Sequence, residues 1–236
     1  MQGNSYVHMK GNELTKQNQS LAAGRFEQSP IALLAFPGHW DLAKTEAKTT
    51  YLIEQMYCHD TVVDRHPCWL IYNLSPCNGG CYNGTVIDSI FEDTWGTEKV
   101  TKWAGGTYMF WADETRVLRS SFHDNGLRDS TETGKSIGTL HLDIHTWAAV
   151  AHVSVTGGVA MAGGAVALLG AGTFEITNCL FEGNVATQSG GAVWFQGSSL
   201  AVVGSVFLMN KVHLERATEV DILVRIFTGS TGLGSA

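Results

Sequence analysis

The sequence predicts an all-β fold: a solenoid of short parallel strands wound as a parallel β-helix. Three observations predict it. The first is self-similarity. The stretch GGAVALLGAGTFEITNCLFEGNVATQSGGAVWFQGSSLAVVGSVFLMN, residues 163–210, carries one pattern twice. Each copy opens with Gly-Gly-Ala-Val, at Gly163 and Gly190, and closes with Phe-x-x-Asn, at Phe181 and Phe207. The Gly pairs lie 27 residues apart and the Phe residues 26 apart. A fixed period of this size marks a repeat that buries its apolar face only against its neighbours.

The second observation is segment length. Ala165-Val166-Ala167-Leu168, Phe174-Glu175-Ile176-Thr177, Leu200-Ala201-Val202-Val203 and Val206-Phe207-Leu208 are strand-like and too short for core helices. The third is punctuation. Gly, Ser and Asn recur every few residues, where the chain must turn or take positive φ. A period near 26 holds about three strands of roughly five residues and their turns, and successive coils stack at ~4.8 Å. A leucine-rich repeat has a similar period, but its Leu-x-x-Leu-x-Leu-x-x-Asn signature is absent.

These Gly-Gly-Ala-Val and Phe-x-x-Asn motifs resemble the GGA-[ILV] and FxxN repeats of the polymorphic outer-membrane proteins, which are autotransporter-like. Similar repeats occur in pectin-lyase-like proteins. The resemblance covers about residues 100–224. It implies a right-handed β-helix in a secreted or cell-surface protein, and it implies no particular ligand.

Taken in order, the chain reads as one domain, 1–236. Residues 1–100 are insert-rich with degenerate coils, 101–224 are regular, and 225–236 form a frayed or truncated end. His8-Met9-Lys10-Gly11-Asn12 matches Leu180-Phe181-Glu182-Gly183-Asn184, with Met9 in the Phe position. Later equivalents fall at Tyr57, Phe91, Phe122, Val155, Phe181 and Phe207, at intervals of 48, 34, 31, 33, 26 and 26. That gives about seven coils, roughly 34 Å of solenoid at ~4.8 Å each. Ile31-Ala32-Leu33-Leu34 and Trp69-Leu70-Ile71-Tyr72 read as strands. Pro37-Gly38, the polar run Thr45 to Lys48, and Ser75 to Cys81 read as excursions. Asp221-Ile222-Leu223-Val224 opens a last coil. Neither end shows a cap, so a fragment truncated at both ends is expected.

Composition narrows the function classes. The net charge of −7 disfavours nonspecific nucleic-acid binding, which uses a basic patch. No run of eighteen apolar residues offers a transmembrane helix, and the first residues lack the apolar core of a secretory signal. Cys58, Cys68, Cys77 and Cys81 cluster in the inserts. Their spacing fits neither a zinc nor a thioredoxin motif; the readings are disulfides of an extracellular insert, free thiols, or a metal site with His59, Asp60 and His66. Cys179 reads as a small core residue. Asn18, Asn73 and Asn83 begin glycosylation sequons, which matter only in a eukaryotic secretory pathway.

Stacking turns equivalent positions into columns, and chemistry is sought there. Three residues before the Phe position stand Glu54, Asp88, Arg119, His152, Asn178 and Gly204. This column is either an acid–base or acidic-sugar site or a turn position that needs left-handed backbone. Just after the Phe position stand His59-Asp60, Glu92-Asp93 and His123-Asp124, either a Ca²⁺ cluster or solvated turn charge. After the Gly pairs, alternation sends Ala167 and Leu169 outward. Their equivalents are Met109 and Trp111, His141 and Asp143, Trp194 and Gln196. Exposed Trp on a flat sheet forms a platform for sugar rings or a protein partner, unless an insertion covers it.

The expected function is therefore a non-enzymatic surface or secreted scaffold for adhesion or glycan binding. Its binding face would hold Trp111, His141, Asp143, Trp194 and Gln196, and its partner would be a polysaccharide or a host or cell-surface protein. The alternative is a polysaccharide lyase or glycoside hydrolase using Glu54, Asp88, Asp93, Arg119 and Asp124. No cofactor is required on either reading, apart from Ca²⁺ where the carboxylate column is read as a Ca²⁺ cluster.

Overall fold

A computed structural model describes residues 5–11, 13–15, 31–35, 49–63, 69–73, 82–96, 107–127 and 139–212. Within them every regular element is a strand, and none is a helix. The described strands form three sheets, of eleven, seven and six strands. Every pairing in them is parallel. This all-strand, all-parallel arrangement is compatible with the expected parallel β-helix.

The chain visits the sheets in turn. Thr173–Thr177 lies in the large sheet, Leu180–Glu182 in the second and Val185–Ser189 in the third. Val193–Gln196 and Ser199–Val203 then return to the large sheet. Each strand pairs with one a period later, as Phe174 with Leu200, Phe181 with Phe207 and Val185 with Lys211. Hydrogen-bond partners on neighbouring strands of the sheets are 46, 33, 31, 33, 26 and 26 residues apart from the N-terminal end onward.

The interior follows from alternation. Ile53, Val86, Val117, Val150 and Ile176 are successive register partners, all essentially inaccessible to water. A second column runs Leu14, Cys58, Phe91, Phe122, Val155, Phe181 and Phe207. Its rings stack at 4.9 Å for Phe91 on Phe122 and again for Phe181 on Phe207. Parallel strands in register place like residues ~4.8 Å apart, the distance at which flat rings stack.

This second column corrects two N-terminal assignments. Met9 is not in the Phe column, because it pairs with Ile53 in the large sheet. Tyr57 is one residue out of place, and its neighbour Cys58 is the buried partner of Phe91. The cause is that two different turns accept Gly in left-handed backbone. Gly11 (φ 64°) stands in the first corner with Asn178, whereas Gly183 (φ 63°) stands in the second. The motif Gly-Asn alone does not tell the two apart.

Buried polar ladders close the turns. Asn184, fully buried, accepts from the Gly158 amide at 2.9 Å and donates to the Val155 carbonyl at 2.9 Å and to Asn210 Oδ1 at 2.8 Å. Asn125 repeats this, accepting from the Thr94 amide and donating to the Phe91 carbonyl. The closing Asn of Phe-x-x-Asn is therefore conditioned by the backbone of the neighbouring coil, where an orphaned buried amide would be costly. Ser89, Ser120 and Ser205 do the same at the first corner, each accepting an amide from the preceding coil. Cys179 shares that column; it is buried and its thiol is free, as expected of a small core residue. Burial pushes its pKa up.

Ile31–Ala35 and Trp69–Asn73 are strands, as the sequence predicts, and they pair with each other. Asn73 and Asn83 lie in strands. Asn18, Pro37-Gly38, Thr45 to Lys48, Ser75 to Cys81, residues 221–224 and the end at 225–236 lie outside the described residues.

Candidate functional site

The first corner joins the large sheet to the second. Gln55, Asp88, Arg119, His152 and Asn178 take it with φ of 56, 51, 43, 54 and 52°, and Gly204 with 63°. Each of the first five donates its amide proton to a carbonyl at the end of the neighbouring strand, as Asp88 to Leu118 at 3.2 Å and His152 to Thr177 at 3.0 Å. The column is thus a turn first, filled largely by residue types that tolerate left-handed backbone. Glu54 stands one residue earlier, at the strand end, and Gln55 takes the turn in its place.

The side chains of this corner are paired by charge. Arg119 donates to Asp88 through Nε at 2.8 Å and Nη2 at 2.9 Å, the bidentate fork of a guanidinium on a carboxylate. That hydrogen bonding holds the Asp88 carboxyl below the usual carboxylate range. Glu54 accepts from Lys10 at 2.9 Å and contacts His8 Nε2 at 3.0 Å, and those bonds hold its carboxyl low as well. A carboxyl held ionised in this way is a poor general acid at neutral pH.

Two shallow depressions of about 490 and 480 Å³, wide open to solvent, run along this corner as one groove. The first is lined by Asp88, Ile90, Arg119, Ser121, His152 and Ser154 among others. The second continues past the shared His152 and Ser154 to Asn178, Leu180, Gly204 and Val206. The sequence showed the column but not the depression, because the groove also needs the outward residues of the second sheet.

The second corner is again a left-handed turn, taken by Asp60 (φ 51°), Asp93 (49°), Asp124 (48°), Gly157 (63°) and Gly183 (63°). Asp93 and Asp124 donate their amides to His123 and Thr156 of the next coil. Among the described residues no three His, Cys, Asp or Glu side chains converge to hold a metal ion. The neighbouring side chains form ladders of their own. His59 stacks on Tyr57 with ring centroids 4.1 Å apart, and it bridges Glu13 at 3.0 Å and Asp60 at 3.1 Å. Tyr57 donates to Glu92, which pushes the phenol up to about 12.

Burial works to lower the His59 pKa, but its bonds to Glu13 and Asp60 outweigh that and raise it. A raised folded-state value means that the Glu13–His59 contact is at full strength below His59's unfolded pKa. It is lost as pH rises through the folded value. We expect an NMR titration of His59 with a midpoint above the ordinary ~6.5. Glu13→Gln should move it down, and an unchanged midpoint would count against the contact.

The face after the Gly pairs departs from expectation. Its columns run Tyr108, His141, Ala167, Trp194 and Phe110, Asp143, Leu169, Gln196. Met109 instead pairs with Leu142, and register shifts between Phe110 and Glu114 pass over Trp111. The shifts cancel, since Thr107 pairs with Leu140 and Leu118 with Ala151 at the same spacing, so the one-residue displacement of Met109 precedes them. His141 and Ala167 are not outward platforms: they are 3% and 0% exposed. Val166, Ala167 and Leu168 are all buried, as in a parallel strand covered on both faces. Trp194 is half-buried and Gln196 is exposed. The side chains of Trp111 and Asp143 lie outside the described residues.

No protein-family model, no curated protein and no solved structure matches this chain. Function therefore rests on the geometry. Among the described residues no helix is long and apolar enough to cross a membrane. Sequence reasoning passed over Trp147, which is half-buried on the large sheet with the Arg116 guanidinium 4.9 Å above its ring. The signal was available only as register, since Glu114, Trp147, Thr173 and Ser199 share one column.

Proposed function

We propose that this chain is a right-handed parallel β-helix of about seven coils and acts as a non-enzymatic scaffold, secreted or held at a cell surface. It is similar in its repeats to the polymorphic outer-membrane proteins, and it works by adhesion to a polysaccharide or a surface protein. One observation carries the non-enzymatic part. The carboxylates best placed for acid–base work, Glu54 and Asp88, are ion-paired to Lys10 and Arg119 on an open corner and held low. A lyase or hydrolase needs a carboxyl poised nearer neutrality in a cleft that excludes water. The extracellular part is supported by Cys58, which is buried and disulfide-bonded, a state that persists in oxidising compartments. Right-handed connection between parallel strands is the strong physical default.

The test is incubation with a panel of neutral and acidic polysaccharides, followed by product sizing and assay for unsaturated ends. The expected result is retention on a panel member without chain shortening. Cleavage that disappears in Asp88→Asn or Asp93→Asn would establish the enzyme reading instead.

A further inference from the structure

We infer that the groove along the first corner, from Asp88 to Val206, is a binding site for a linear, uncharged glycan. This inference rests on the scaffold reading above and gives it a location. Four features of the groove point to that ligand class.

The first is charge. Asp88 and Arg119 neutralise each other through two hydrogen bonds, and the other polar lining groups are an imidazole, an amide and hydroxyls. With a chain net charge of −7, nothing here attracts a polyanion.

The second is the supply of hydrogen-bonding groups. His152 and Asn178 are both exposed at the turn. The hydroxyls of Ser121 and Ser154 stand beside them on the outward side of the second sheet. Ser121 and Ser154 are register partners at the strand spacing of ~4.8 Å, so one hydroxyl contact repeats between these two strands. A polymer of identical sugar units can use such a repeat.

The third is apolar surface. Ile90 is 42% exposed and Val206 48%, with Leu180 between them in the same register column through Ser121 and Ser154. Pyranose rings present apolar faces with a rim of hydroxyls, which matches apolar side chains at the two ends of a column whose middle is polar.

The fourth excludes a competing ligand class. A peptide strand would bind by pairing its main chain with free backbone groups. Along this corner the backbone is already paired coil to coil: Ile90 donates to Met56, Ser121 to Ser89, Ser154 to Ser120, Leu180 to Val153 and Val206 to Cys179. The side chains are what remains for recognition.

The backbone supplies a clean test. His152 and Asn178 hold φ of 54 and 52°, which Gly adopts without strain, so His152→Gly with Asn178→Gly strips the groove while the turn is kept. Retention of the full chain would be measured on unsubstituted β-glucan, xylan and mannan, beside polygalacturonate and a sulfated glycan. The expected result is retention on a neutral glycan that falls at least about tenfold in the double variant, with an unchanged unfolding midpoint. Trp194→Ala should leave that retention as it was. Undiminished retention in the double variant, or loss confined to Trp194→Ala, would overturn the groove and leave the scaffold standing. Retention of only the polyanions, or of no glycan, would overturn the groove's ligand class. Shortening of any glycan would overturn the scaffold reading itself.

Discussion

Phe181→Asp should unfold the C-terminal coils. Phe181 has no accessible surface, and it stands between Val155 and Phe207, stacked on the latter. Truncating a buried Phe costs about 3–5 kcal/mol. The carboxylate adds to this, because among the described residues the column holds no cation to pair with it, and burial of an unpaired charge is strongly opposed. A folded domain is stable by only about 5–15 kcal/mol, so the loss takes much of the total. Phe181→Leu keeps the site apolar and should be far milder, since shape changes of that kind usually cost less than about 1.5 kcal/mol apart from the volume lost. The check is urea unfolding of both variants beside the parent. Equal midpoints for Phe181→Asp and the parent would remove Phe181 from the interior.

The second large effect separates a whole coil from half of one. Gly163 and Gly190 share φ of 64° and the same surroundings, each lying against the carbonyl of the Val three residues on. Deleting residues 164–190 joins Gly163 to Gly191 at equivalent points, and every remaining strand keeps its inward and outward sets. Deleting residues 164–176 joins unlike points and throws the strands out of phase, which moves the apolar set toward solvent. The first protein should fold with modestly lower stability, as expected when one nearest-neighbour interface is lost. The second should be recovered unfolded or aggregated. Circular dichroism and size-exclusion chromatography distinguish them, and equal loss of both would contradict a stacked repeat.

The regular part of the fold was legible in the sequence because one residue type served one role. The Phe of Phe-x-x-Asn fills the stacked column, its Asn bonds the neighbouring backbone, and the Gly pair marks the return to the large sheet. Legibility failed where roles overlapped. Gly occurs at both left-handed corners, so Gly11 was aligned with the wrong one. Cys58 replaces Phe in the column, and the larger Tyr57 beside it drew the alignment by one residue. On the large sheet Tyr108 and Phe110, not Met109 and Trp111, stand opposite His141 and Asp143, a one-residue difference already present before the irregular register between Phe110 and Glu114. The candidate site was legible as columns, and the turn role of Asp88, Arg119, His152 and Asn178 was among the readings offered. Exposure was not legible. Alternation gives the face a side chain points to, but the covering of His141 and Ala167 depends on what packs over that face. The groove depends on two columns from two sheets, which no single periodicity displays.

The central claim is the register of one coil upon the next, and cysteine cross-linking reads it directly. Glu175 and Ala201 are exposed register partners on adjacent parallel strands, and Val203 stands two residues beyond Ala201. Neighbouring strands place partner Cα atoms about 4.8 Å apart, inside the range a disulfide spans. A step of two residues along the strand stretches that to about 8 Å, outside the range. Mild oxidation should therefore close a disulfide in Glu175→Cys with Ala201→Cys, and should leave Glu175→Cys with Val203→Cys open. Closure in the second pair but not the first, or equal closure in both, would contradict a coil of that register.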